Sequence, residues 1–479
     1  MIDKAAASLI ISVSGLRGTV GGSLTREVVQ RYIFAFASYM KRCNNGDSHF
    51  PQPFLISTDG RESGSWIVSE TQRAFEAAGI RSLFLGTAAT PTLGFLVRYY
   101  HAPGGVQITA SHNSLAWNGI KLFDAAGGII SHECGEKVKR FYDNLTLDEF
   151  ALDSDFEQEE EPNEDSLKQM LAGDPLECQK PHWEAILKLV DAAAIKKRKF
   201  TVFLDSNRGS GSVLGREMLQ ALGCKVIFPA KIEKPDGNFV HEPEPTAENL
   251  KKVCKKIAEN GAVDIGFCQD PDADRLALVA GDGTYLGEEC TLSLCVRDLL
   301  DSGKKGPIVT NCSSSLMTYD IAKKAGCECF FAPVGEANVV AKMMEVGAIF
   351  GGEGNGGTIH PAVGFVRDSF VGMAMILDLL ARSGKSILEL AKELPKYYIV
   401  KHKIEFRREK LASFYEELCR MYPDAEADMQ DGCRLSWKNA WVLIRPSNTE
   451  PIIRVIGEAK TLKKINDICA EILKMAASW

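Results

Sequence analysis

The chain has 479 residues and a formal net charge of −7. That length exceeds one ordinary core, so roughly two to four domains are expected, and the acidic excess excludes a general attraction to nucleic acid or an anionic membrane. No apolar run is long enough to span a bilayer, and the 14 scattered cysteines, of which the closest pair is Cys327 and Cys329, lack zinc or thioredoxin spacing and read as reduced thiols of a cytoplasmic protein.

The N-terminus carries Asp3 and Lys4 before a short apolar run and does not have the pattern of a signal peptide. The first landmark is Ser12-Val-Ser-Gly-Leu-Arg-Gly-Thr-Val-Gly21, where glycines flanking Arg17 let the backbone bend and expose the guanidinium. A helix capped near Thr25 follows, through Val28, Tyr32 and Phe36.

A strand running into a Gly/Ser turn then occurs at Phe54–Gly64, at Thr201–Gly211 and at Pro307–Ser315. Each turn opens a helix that stops at a glycine, Gly79, Gly223 or Gly326, and a second strand follows. Self-similarity of this length predicts three related α/β domains with mixed, mostly parallel sheets. Each unit continues to a third strand and an unusual loop: Thr109-Ala-Ser-His, Gln269-Asp-Pro-Asp-Ala-Asp-Arg275 and Gly351-Gly-Glu-Gly-Asn-Gly-Gly357. Equivalent strand ends are expected to converge on one cleft.

The stretch Asp153–Asp165 is dense in acids and reads as a solvated linker. Beyond Leu394-Pro395 the pattern changes to a helix over 407–421, a strand over 441–444 and a closing helix over 462–475, a smaller α+β domain. The expected divisions are 1–155, 156–284, 285–395 and 396–479. Gly384-Lys-Ser386 is not a P-loop, because Leu379 stands where its first glycine belongs.

The loops carry the chemistry. Ser111 sits just past the strand Val106-Gln107-Ile108, and Asn118-Gly119 folds the chain back so that Lys121 returns towards it. A hydroxyl and a lysine so joined fit a nucleophile or phosphate carrier with a basic partner, or a plain polar turn. Asp270, Asp272 and Asp274 alternate, so that one turn points three carboxylates at one place, as Mg²⁺ requires. An EF-hand fails because Arg275 and Gly281 stand where its glycine and bidentate glutamate belong. Arg445-Pro-Ser-Asn-Thr449 offers a guanidinium fork, the hydroxyls of Ser447 and Thr449, and the amide of Asn448, a set that suits a phosphate dianion.

In family order, Gly15-Leu-Arg-Gly18, Thr109-Ala-Ser-His-Asn113, Asp270-Pro-Asp-Ala-Asp-Arg275, Gly352-Glu353 and Arg445-Pro-Ser-Asn-Thr449 make the chain resemble the α-D-phosphohexomutases, over nearly its whole length. These include phosphoglucomutases, phosphomannomutases and phosphoglucosamine mutases. The resemblance implies four domains around a central cleft, and transfer of phosphate between the ends of a hexose through a phosphoserine and a hexose 1,6-bisphosphate, which also serves as activator. It implies that Ser111 carries the phosphate and, with Asp270, Asp272 and Asp274, binds Mg²⁺. Lys121 matches the general base; Arg17, His112 and Arg275 match residues around the reacting phosphate. Glu353, with Asn355 and Glu336, matches the sugar-reading side, and Arg445, Ser447, Asn448, Thr449 and Arg454 the loop that holds the other phosphate. The implied partner is a small phosphosugar, with no nucleic acid and no membrane, and the chain is expected as a monomer or homodimer.

Two departures stand out. Many members have Gly-Glu-x-Ser-Gly-His at the sugar loop; here Asn355 replaces the serine and Gly357 the histidine. Ser114 stands where proline is usual. Gly357 removes a side chain, so a roomier loop tolerant of an amine, a hydroxyl or either configuration at C2 is expected. The Val334-Gly-Glu-Ala-Asn338 segment looks closer to the phosphoglucosamine mutase side, which makes glucosamine phosphate the first choice of substrate, with glucose and mannose phosphates also turned over.

Overall fold

The computed structural model describes residues 9–12, 15–145, 175–229, 235–447 and 452–479. The acidic stretch 153–165 and the loop residues Asn448 and Thr449 lie outside the described residues.

Four sheets organise the chain. In the first, the strand order is Ile10–Ser12, Gly15–Thr19, Trp117–Asp124, Gly104–Ile108, Phe54–Thr58, Ser82–Thr87. The second runs Tyr285–Gly287, Leu276–Ala280, Ile265–Gln269, Thr201–Asp205, Lys225–Ile227, and the third Cys329–Ala332, Ile308–Asn311, Phe350–Glu353, Gly357–Ile359. The strands Phe54–Thr58, Thr201–Asp205 and Ile308–Asn311 are each flanked in parallel on both sides. They are buried along almost their whole length, the pattern of strands covered on both faces by helices.

In each unit the third strand then turns back antiparallel: Gly104–Ile108 against Trp117–Asp124, Ile265–Gln269 against Leu276–Ala280, and Phe350–Glu353 against Gly357–Ile359. The three unusual loops are therefore the tips of three equivalent hairpins. The first helix of each unit ends beside a left-handed glycine, Gly79 (φ +69°), Gly223 (φ +75°) and Gly326 (φ +74°), because a side chain there would strain the cap. Thr25 Oγ1 caps the helix Arg26–Cys43 by accepting from Val28 N at 3.2 Å.

The last sheet is wholly antiparallel, in the order Tyr398–Glu405, Ile452–Ala459, Ala440–Pro446, Cys433–Trp437, Glu426–Asp428. The helices Leu411–Met421 and Leu462–Ala477 bury Phe414, Leu418, Ile465 and Ile472 with Val442 and Ile444. Residues 408–410 make a 3₁₀ turn before the helix expected from 407. Glu458 anchors this sheet to the third unit: its carboxylate accepts from Ser315 Oγ, from Leu316 N at 2.8 Å and from Trp441 Nε1 at 2.9 Å. A carboxylate at the start of the helix Leu316–Lys324 is favoured by the exposed N–H groups and dipole there. Among the described residues no helix is long and apolar enough to cross a membrane, and all 14 cysteines are free thiols.

Candidate active site

Ser111 lies on the first hairpin tip with a left-handed backbone, φ +51°, and is 1% exposed. A non-glycine residue in this region costs of order 1–3 kcal/mol and needs surrounding support. Arg61 supplies it. Its Nη2 donates to Ser111 O (2.8 Å) and Asn113 O (2.7 Å), and its Nη1 to Ser114 O (2.8 Å) and Trp117 O (3.1 Å). Asp59 holds Arg61 Nε at 2.9 Å and accepts from Thr109 Oγ1 at 2.6 Å, and Thr109 Oγ1 accepts from Ser111 N at 2.8 Å. The sequence shows Asp59-Gly-Arg61 only as a turn after a strand; that it grips a loop fifty residues on was not legible.

Ser111 Oγ donates to Asp270 Oδ2 at 3.0 Å and is 3.2 Å from His112 Nδ1. The structure thus joins the first hairpin to the second. Arg17 Nη1 donates to Asn113 Oδ1 at 3.2 Å, which brings the guanidinium to the same loop. The His112 imidazole is pushed down to about 2, first by the Arg275 charge, then by burial and by Arg17. The neutral imidazole is therefore the form favoured beside Arg275 and Arg17. The same positive field over Ser111 suits an anion carried there.

Asp270, Asp272 and Asp274 are fully buried, with one oxygen of each within 4.8 Å of the others. Asp270 Oδ1 accepts from Asp274 N and Arg275 N, which curls the tip inward. Asp272 Oδ1 and Asp274 Oδ1 make no hydrogen bond among the described residues. Burial and its two carboxylate neighbours hold the Asp270 carboxyl well above its ordinary range. Orphaned buried oxygens in an all-carboxylate turn fit a hard divalent cation. Thr90, from the first unit, steadies the tip: its Oγ1 donates to Asp272 Oδ2 at 2.6 Å and its N to Asp272 O at 3.0 Å.

Lys121 is 7% exposed, and its Nζ donates to Asp272 Oδ2 at 2.6 Å and Asp274 Oδ2 at 2.7 Å. Burial alone would lower its pKa, but the two carboxylates outweigh burial and the net shift is upward. A general base needs the opposite shift; here Lys121 is held as an ammonium.

The third hairpin meets this cluster through Arg367, which no motif flagged. Its Nη2 donates to Asp274 Oδ2 and its Nη1 to Glu353 Oε2, both at 2.6 Å. Its Nε lies 3.3 Å from Glu336 Oε2, and its backbone N donates to Glu336 Oε1 at 2.7 Å. The one available signal was a charged pair, Arg367-Asp368, heading the long apolar helix Ser369–Ser383. Glu353 is saturated: Oε1 accepts from Asn311 Nδ2 (2.7 Å) and Gly335 N (3.1 Å), Oε2 from Arg367 and from Asn355 Nδ2 (3.3 Å). Asn355 Oδ1 in turn accepts from Gly357 N at 3.2 Å. The room expected beside Gly357 is absent, since a Cβ there would lie 2.2 Å from Arg367 Cδ.

In the last sheet Arg445 and Arg454 are direct cross-strand partners, and Lys403 pairs with Arg454 from the next strand. Like charges directly opposite repel, so a row of three cations at the root of the 447–451 tip favours an anion. Asp431 Oδ1 lies 3.3 Å from Arg445 Nη2 while its Oδ2 accepts from Val334 N at 3.0 Å, and Ser447 N donates to Ile452 O at 2.9 Å.

Family models match in four consecutive pieces: "Phosphoglucomutase/phosphomannomutase, alpha/beta/alpha domain I" at 9–149, domain II at 180–283, domain III at 288–398 and the C-terminal domain at 408–475. A "Phosphoglucomutase/phosphomannomutase" of Thermococcus kodakarensis is 33% identical, with 95% of each chain covered. A "Probable phosphoglucosamine mutase" of Methanopyrus kandleri is 30% identical, with 96% of each chain covered. In fold, a phosphoglucomutase/phosphomannomutase family protein from Burkholderia thailandensis superposes with a TM-score of 0.77 at 24% identity, covering 100% of this chain and 98% of that one.

Proposed function

This chain belongs to the α-D-phosphohexomutase family and is a phosphohexomutase enzyme, and from that premise we propose that it interconverts glucosamine 6-phosphate and glucosamine 1-phosphate through a phosphoserine at Ser111 and a 1,6-bisphosphate. The observation that carries this reading is the buried contact of Ser111 Oγ with the acidic turn at Asp270. Phosphoryl transfer needs positioning and charge neutralisation far more than covalent chemistry. Ser111 Oγ is the carrier, fixed by the Arg61 grip on its loop. Asp270, Asp272 and Asp274 would hold Mg²⁺ together with an oxygen of Ser111. When bound, the ion supplies charge neutralisation at the moving phosphoryl group. Arg17, Arg275 and neutral His112 surround the same group. As the phosphoryl group moves from the sugar oxygen to Ser111 Oγ, the sugar P–O bond breaks, Lys121 gives that oxygen a proton and the proton lost from the Ser111 hydroxyl restores the ammonium; the reverse transfer runs the same exchange backwards. Arg445, Arg454 and the loop containing Ser447, Asn448 and Thr449 bind the phosphate at the other end of the sugar. Because the bisphosphate must turn end for end, that site accepts either end.

Glu353 reads sugar hydroxyls by exchanging a partner, and the longest of its four bonds, from Asn355 Nδ2, is the one to yield. A second reading, glucose and mannose phosphates as the main substrates, is favoured by the name of the 33% identical relative.

The test is phosphorus NMR of each hexose 1-phosphate with Mg²⁺ and a trace of its 1,6-bisphosphate. The reading expects the 6-phosphate to appear, fastest for glucosamine. Release of inorganic phosphate without an isomer would mark a phosphatase and overturn it. Intact mass should show one added phosphate after bisphosphate treatment, absent in Ser111→Ala, and Ser111→Ala with wild-type turnover would refute the carrier role.

A further inference from the structure

Arg367 occupies two places at once. Its guanidinium bonds Asp274 on the second hairpin and Glu353 on the third, with Nε against Glu336 at the start of the helix Glu336–Val346. Its stem fills the volume above Gly357: a Cβ built there would lie 2.2 Å from Arg367 Cδ, 2.8 Å from Cγ and 3.0 Å from Cβ. Cδ and Cγ can clear that space only if the guanidinium leaves Asp274 and Glu353, so a side chain at 357 conflicts with Arg367 in this position.

The arginine is itself fixed. Asp368 caps the helix Ser369–Ser383 by accepting from Phe370 N and Val371 N, and its Oδ2 lies 2.8 Å from the buried His182 Nε2. His182 Nδ1 is 3.1 Å from Thr92 Oγ1 of the first unit. The main chain at 367 is therefore pinned by residues from other parts of the fold, and the guanidinium has little freedom.

We propose that Arg367 is a positioning residue of the phosphohexomutase reaction: it couples the sugar-reading carboxylate Glu353 to the metal-side carboxylate Asp274, and takes the place that a side chain at 357 holds in other members. This rests on the roles given above to Glu353 and Asp274. The coupling has a signed consequence. Arg367 donates to Asp274 and so competes for its charge with any cation. It also sets the distance between the sugar side and the metal side, which neither hairpin fixes alone.

The experiment uses Arg367→Ala, Arg367→Lys and Gly357→Ala in the full chain, read by Mg²⁺ calorimetry, thermal unfolding and turnover. Arg367→Ala is expected to bind Mg²⁺ about threefold tighter or more, because a unit charge a few ångströms from a ligand is gone, while kcat falls about a hundredfold, as misplacement by an ångström costs. Arg367→Lys keeps the charge and hence the fold; it should bind Mg²⁺ within about twofold of wild type, yet lose a similar factor in kcat, since an ammonium has no planar fork. Gly357→Ala should lower the unfolding midpoint in wild type and cost distinctly less in the Arg367→Ala background, where the contacts with Cδ and Cγ are gone and only the 3.0 Å contact with Cβ remains.

Weaker Mg²⁺ binding together with slower turnover in Arg367→Ala would overturn the proposal, as a purely structural loss damages both. Wild-type kcat in Arg367→Lys, or a Gly357→Ala cost equal in both backgrounds, would also overturn it. If wild type isomerises no hexose phosphate, the functional reading fails while the Mg²⁺ and unfolding measurements still decide whether Arg367 links the two hairpins.

Discussion

Arg61 Nη2 donates to the carbonyl oxygen of Ser111 at 2.8 Å, and the same guanidinium holds the carbonyls of Asn113, Ser114 and Trp117. One buried side chain thus fixes the hairpin tip that carries the reactive hydroxyl, and Asp59 balances its charge at 2.9 Å. The left-handed backbone of Ser111 persists because this grip makes other conformations costlier.

Arg61→Ala should therefore cost stability. It leaves Asp59 buried without its partner, a loss of about 3–5 kcal/mol, visible as a lower urea midpoint. Arg61→Lys should remain folded but lose about a hundredfold in kcat, because an ammonium cannot hold four carbonyls in the same plane. Equal turnover in Arg61→Lys and wild type would show that the loop needs no such grip.

Metal removal provides the second prediction. Three buried carboxylates share one turn, and two of their oxygens lack hydrogen bonds among the described residues. Mg²⁺ should raise the unfolding midpoint, by an amount equivalent to about 2.7 kcal/mol when free Mg²⁺ is a hundred times its Kd. Asp270→Asn should abolish that rise and yet stabilise the metal-free protein, since burial and its two carboxylate neighbours disfavour the ionised form of Asp270. A midpoint unchanged between chelator and Mg²⁺ in wild type would refute the site.

For Lys121→Met the expectation is a loss of turnover by about two to four orders of magnitude, the usual range for a positioned acid or base. Bisphosphate binding should survive, because the other phosphate is held by the Arg445 strand and its neighbours. The metal-free variant should also be less stable, as Asp272 and Asp274 lose a partner at 2.6 and 2.7 Å. Weakened binding with intact turnover would make Lys121 a phosphate anchor.

The pH dependence of stability has a definite sign at Glu289. This carboxyl lies behind Gly354 and accepts from Ser315 N at 3.0 Å; burial raises its pKa from the ordinary 4.5 to about 8. Between those values the folded chain keeps a proton that the unfolded chain releases. Its contribution is complete below the unfolded value and is lost as the pH rises through about 8. Unfolding midpoints measured from about pH 5 to pH 9 should therefore fall less steeply in Glu289→Gln than in wild type. Parallel slopes would show that Glu289 does not titrate in this window.

The sequence by itself determined the threefold α/β repeat, the helix-stopping glycines, the separate last unit and the family. Each of these is written in short stretches: apolar runs of strand length, glycines where a helix must end, three aspartates within five residues. The acidic turn was legible because its ligands are neighbours in the chain, and local turn geometry alone brings them together. Tertiary structure decided the rest. Arg61 lies in the turn after one strand and acts on the hairpin after another. Arg367 follows the glycine-rich loop and closes over it, so Gly357 marks occupied volume where the sequence suggested space. The state of Lys121 was likewise beyond the sequence, which shows a lysine near a serine but not the two carboxylates, more than a hundred residues away, that hold its proton. In each case the physical cause is the same: hydrogen bonds and charge act across space at a few ångströms, and three hairpins from three sheets must first be packed tip to tip before those distances exist.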